Sequence, residues 1–168
     1  GTREDRARLW INEAREALAK NKSIFIITPT AAAAAHLASL LSSLPRLPIL
    51  FTGDMPSARL KRRWEEVRNE KNGAVVIGTP IALGAIRPDT ETVIIDDASS
   101  PYFWQRQSPH LPLVRVIEKL SVFHSFSLWK GKRIASLADL ASPAEITYVS
   151  PRRNPHDKPA FSLIDLRR

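Results

Sequence analysis

Residues 24–44 read IFIITPTAAAAAHLASLLSSL. IFIIT, residues 24–28, is a short run without charge, β-branched and aromatic, as expected of a strand buried on both faces. Thr30 stands where a hydroxyl caps a helix. Beyond it Leu37, Leu40, Leu41 and Leu44 recur at helical spacing. A fully buried strand feeding directly into an amphipathic helix is half of a βαβ unit, and the pattern repeats in both directions. Upstream, DRARLWINEAREALAK places Trp10, Ala14, Ala17 and Leu18 on one helical face. Downstream, a strand is expected over residues 48–51. Pro56 then opens the helix PSARLKRRWEEVRNE, with Leu60, Trp64 and Val67 inward and Gly73 ending it. Further strands are expected over residues 74–78 and 92–96. Strands alternating with helices predict an α/β domain of three layers, a mostly parallel sheet covered on both faces.

The rest of the chain is patterned more weakly. LPLVRVIEKL carries a helical stripe of Leu113, Val116, Ile117 and Leu120. SFSLW reads as a strand, SLADLA as a short helix and ITYVS as another strand. Residues 150–160, SPRRNPHDKPA, combine proline and charge and predict an exposed linker before FSLIDLRR.

At 168 residues the chain suits one domain, and 25 Lys+Arg against 17 Asp+Glu leave it at +8. That excess is the footprint of a nucleic-acid or anionic-surface partner. No cysteine is present, which excludes disulfides, thiol catalysis and cysteine metal sites. No apolar run approaches the ~20 residues a membrane span needs. The N-terminus carries no signal core, so a cytoplasmic protein is expected. The histidines at 36, 110, 124 and 156 lack ligand spacing, and no metal site is expected.

In parallel α/β sheets ligands bind beyond the carboxyl ends of the strands. Those ends read ITPT, FTGD, IGTP and IIDD, gathering small, hydroxyl and acidic residues on one edge. Turn and capping chemistry uses the same residue types. Four consecutive ends alike favour a shared site. TVIIDD, with Asp96 and Asp97, has two readings: a metal holder with a carboxylate aimed at water, or a strand end whose carboxylates bond locally. Tyr102, Phe103 and Trp104 likewise either stack on bases or anchor a loop.

Three segments carry a resemblance. ARLKRRWEEVRNEKNGAVVIGTPIALGAIRP, TVIIDDASSPYFWQRQSPH and FSLIDLRR follow, in order and spacing, the first RecA-like lobe of superfamily 2 helicases. The chain most resembles the primosomal protein N′ replication-restart helicases, over roughly residues 2–168. The resemblance implies a RecA-like lobe from a longer multi-domain protein, with a second lobe elsewhere. It also implies single-stranded or branched DNA and primosome proteins as partners, in the cytoplasm and on the nucleoid.

The departures from that family are consistent with one another. Its glycine-rich phosphate loop falls on TREDRAR, where Arg3, Glu4, Asp5, Arg6 and Ala7 supply no glycine, no lysine and no magnesium hydroxyl. Either the loop is lost or it lies upstream of residue 1. Asp97, Ala98 and Ser99 replace the rest of the acid box, and Pro80 replaces an arginine. A comparable decay characterises the PriA-like proteins of actinobacteria. The expectation is a non-hydrolysing DNA-binding module without ATP or magnesium. The alternatives are an ATP-dependent 3′–5′ helicase with its loop upstream, and a scaffold for primosome assembly. By resemblance the DNA contacts are Thr28, Thr30, Thr52, Gly53, Gly78 and Thr79. Arg62 and Arg63 join them, within a basic set that adds Arg59, Lys61, Lys130, Lys132 and Arg133.

Overall fold

The computed structural model describes residues 3–104 and 110–132, with side chains from residue 6 onward. Arg133, SLADLA, ITYVS, the segment 150–160 and FSLIDLRR lie outside the described residues. Along the chain run α1 (Arg3–Ala19), β1 (Ser23–Ile27), α2 (Ala31–Leu40), β2 (Ile49–Phe51), α3 (Ser57–Asn69) and β3 (Val75–Gly78). After a 3-10 helix over Pro80–Ala85 come β4 (Thr90–Ile95), a turn of 3-10 helix over Pro101–Phe103, α4 (Leu113–His124) and β5 (Ser127–Lys130). The five strands form one sheet in the order β2-β3-β1-β4-β5. Every pairing is parallel.

Side-chain alternation along the strands divides the core in two. Ile24 and Ile26, with Val75, Ile77 and Ile94, face Trp10, Ala14 and Ala17 of α1 and Leu37 of α2. Phe25 and Ile27, with Val76, Val93 and Ile95, face Val67 of α3, Ile117 of α4 and Ala82 and Ala85. A strand sandwiched this way needs apolar residues at every position, which is why IFII carries no polar interruption. The result is a three-layer α/β domain of RecA-like architecture. Thr30 caps α2 as its position predicts, accepting from the Ala33 amide at 3.1 Å.

One inward residue is misplaced by periodicity alone. Val67 is buried and Leu60 partly so, but Trp64 is 51 % exposed. Helix α3 packs at the sheet's edge, against the three-residue β2 and the 3-10 helix. Leu60 and Val67 fill that narrow surface, and the indole overhangs it. Helix α3 also stops at Asn69, before Gly73, where Glu70 turns extended. The aromatic trio is divided: Phe103 is buried and anchors its loop, while Tyr102 and Trp104 are exposed.

No helix among the described residues is long and apolar enough to cross a membrane.

Candidate functional site

Because the strands are parallel, their carboxyl ends share one edge. The register puts Ile27 beside Gly78 and Ile95, Gly78 beside Phe51, and Ile95 beside Lys130. The next residues, Thr28, Thr52, Thr79, Asp96 and Gly131, therefore make a row. The structure brings these sequence-predicted positions together but gives them different work.

Thr28 is fully buried, and its hydroxyl reaches the Thr30 carbonyl at 3.1 Å and the Gly78 carbonyl at 3.3 Å. It ties β1 to β3. Thr30 caps α2 and Thr52 is buried. Gly78 lies against β2 so closely that a Cβ would run into the Phe51 carbonyl. Thr79 is half-buried, and beside it the exposed Gly53, which follows Thr52, donates its amide to Thr79 Oγ1 at 3.0 Å. A hydroxyl that accepts one bond still has its own proton to donate. That proton has no acceptor among the described residues.

The chain leaves Gly53 through Pro56 into α3, so the first turns of α3 flank this spot. Arg59, Lys61 and Arg62 are exposed there and make no ion pair among the described residues. Arg63 is engaged by Glu66 at 2.6 Å. Lys130, at the other end of the edge, bonds Glu118 at 2.8 Å. Burial works to raise the Glu118 carboxyl, but the hydrogen bond and charge of Lys130, then Arg115, outweigh it and hold the group below its ordinary range.

Asp96 sits at the end of β4 with 1 % of its surface exposed. Its Oδ1 accepts from Arg6 Nε at 3.0 Å, and Trp10 Nε1 stands 3.4 Å away. Arg6 is itself only 5 % exposed. Arg6 and Trp10 lie four residues apart on α1, so one face of that helix carries both groups to the carboxylate. The end of β5 closes over them: a Cβ on Gly131 would stand 3.0 Å from the Trp10 ring and 3.3 Å from the Arg6 chain. Arg6 Nη1 and Asp96 Oδ2 are buried without a partner among the described residues. Arg3 to Ala7 belong to the first turns of α1, not to a loop. Ala7 is packed into the core.

Magnesium needs several oxygen ligands and keeps its own waters. Here a guanidinium already neutralises the buried carboxylate. These residues do not fit a magnesium–nucleotide complex. Asp97 takes the left-handed conformation at φ 61° and accepts from the Ser99 hydroxyl at 3.0 Å. Its carboxylate serves the turn.

Sequence reading found Asp96 and Arg6 but missed Trp10 and Gly131 as parts of the same cluster. The four-residue spacing of Arg6 and Trp10 was the available signal. Gly131 had none, since its contact depends on where β5 ends. No family model matches the chain, and no curated protein matches it.

Proposed function

We propose that the chain is a degenerate helicase-like lobe of a primosomal, replication-restart protein that binds single-stranded or forked DNA without hydrolysing ATP. The binding half rests on the Gly53–Thr79 pair at the strand-end edge, flanked by Arg59, Lys61 and Arg62 without partners among the described residues. A hydroxyl proton and backbone amides at a strand end can hold a phosphate, and nearby cations supply the field that draws the backbone in. The absence of hydrolysis rests on Arg6, which lies against Asp96 in place of a cation. On this reading neither ATP nor magnesium is a cofactor, and the partners are DNA and primosome proteins in the cytoplasm.

Two measurements test this reading. Binding of single-stranded or forked DNA should weaken with salt, at a log-log slope of about −0.7 per phosphate contacted on single strands. Arg62→Ala should flatten the slope by about one contact. Thr79→Ala should weaken binding by roughly 0.5–1.5 kcal/mol with little change of slope, because it removes a neutral hydrogen bond. DNA-stimulated ATP turnover by the intact parent, abolished by Asp96→Ala, would overturn the non-hydrolysing half. The scaffold reading draws on Val122 and Phe123, 80 % and 82 % exposed at the end of α4. Absence of DNA binding by the intact parent at low salt would favour it.

A further inference from the structure

At the opposite end of the sheet, where β1 and β4 begin, a groove of about 580 Å³ runs between the last turns of α3 and the 3-10 helix Pro80–Ala85. Its size suits a small planar ligand with room for a sugar. Four features define it. Trp64 forms part of its wall, half exposed, with no ring or cation covering it among the described residues. Arg68 and Lys71, at and just beyond the end of α3, are exposed and make no ion pair among the described residues. The acid in the groove, Asp89, is already neutralised. Arg87 holds it at 2.7 and 3.0 Å, and Ser23 donates to it at 2.9 Å. Gly84, which also lines the groove, leaves open space where a side chain would stand.

We propose that this groove is a second contact for single-stranded nucleic acid, in which one base stacks on Trp64 and the adjoining phosphates lie against Arg68 and Lys71. An uncovered indole beside unpaired cations matches the ligand's two chemistries: a π-face, and an anion within one nucleotide of it. The groove's net positive charge excludes an acidic lining that would repel the backbone. Stacking is indifferent to base identity, so the contact adds affinity without sequence preference. The inference rests on the reading that DNA is the ligand, but the residues are separate from the strand-end edge.

The test titrates the full chain, carrying Trp104→Phe, with a short oligothymidylate and follows tryptophan emission. Trp10 is buried and Trp129 is partly buried against the core, which leaves Trp64 as the principal exposed reporter. Saturable quenching is expected. Trp64→Ala removes the reporter, so its binding is followed by the anisotropy of a fluorescein-labelled oligothymidylate, and it should weaken roughly 5- to 150-fold, the range for one base on an aromatic face. Gly84→Leu fills the groove from a position where a Cβ meets nothing within 4 Å, so it should abolish quenching while leaving the melting temperature unchanged. Replacing Arg68 and Lys71 together by alanine should flatten the salt slope by about two contacts. If Thr79→Ala weakens binding while Trp64→Ala and Gly84→Leu do not, the groove proposal falls and the strand-end reading stands. If the groove variants weaken binding and Thr79→Ala does not, the groove stands alone. If the oligonucleotide binds neither surface, both fall.

Discussion

Asp96 shows how much one neighbour decides about a residue. Its carboxylate and the Arg6 guanidinium are both withdrawn from water, so each depends on the other for the free energy that solvation would have given. Removing one partner leaves an uncompensated buried charge. Arg6→Ala and Asp96→Ala are each expected to cost about 3–5 kcal/mol in chemical denaturation. Replacing both at once, Arg6→Met with Asp96→Leu, should cost much less than the sum of the singles, because apolar side chains of similar volume remove the desolvation problem altogether. A double-mutant cycle close to additive would show that the two charges do not depend on each other. The unpartnered Arg6 Nη1 and Asp96 Oδ2 point the same way, since buried polar atoms left unbonded reduce what the pair contributes.

Among the elements, α2 and α4 end in opposite states of fitness. Helix α2 begins with a satisfied cap, and Thr30→Ala should lose about 0.5–2 kcal/mol by freeing the Ala33 amide. Helix α4 terminates at Ser125, a non-glycine residue held at φ 56° in the left-handed region. Ser125→Gly removes the steric conflict between Cβ and carbonyl and should raise stability by about 1 kcal/mol. Thermal melts of the two variants should therefore move in opposite directions. Helix α3 differs from both. It is amphipathic, yet its place over the edge strand β2 gives it too little surface to cover its whole apolar stripe, which is why Trp64 faces solvent.

Over the whole molecule, acid should weaken the fold through two carboxylates far apart in sequence. Burial acts to raise Asp89, but hydrogen bonds from Arg87 and Ser23 and the charge of Arg87 outweigh it and leave the group below its ordinary value of 3.8. Glu118 is likewise held below its ordinary value of 4.5 by Lys130 and Arg115. A carboxylate more acidic in the folded than in the unfolded state contributes stability that is complete above its unfolded pKa. That contribution is lost as pH falls through the lower, folded value. Melting temperature should hold down to about the ordinary carboxylate range and then decline, and Arg87→Ala should make the decline shallower. Both carboxylates are partly exposed, so the effect should also shrink with added salt.

By itself the sequence determined the layer architecture, because burial on both faces imposes continuous apolar strands and burial on one face imposes a helical stripe. IFIIT, AVVIG and TVIID were legible as strands for that reason, and Thr30 as a cap because capping is local chemistry. Of the site, the row of strand ends was legible too, since parallel pairing sends every carboxyl end to one edge. What the row does was not. Thr28 Oγ1 meets a carbonyl 50 residues away and Asp96 meets a guanidinium 90 residues away. No local pattern encodes such pairs. Whether TVIIDD keeps a carboxylate for a ligand or spends it on the core was decided only by tertiary structure, where α1 and the end of β5 enclose Asp96. The exposure of Trp64 was decided the same way: periodicity reports which residues share a helix face, and only the packed sheet determines how much of that face is covered.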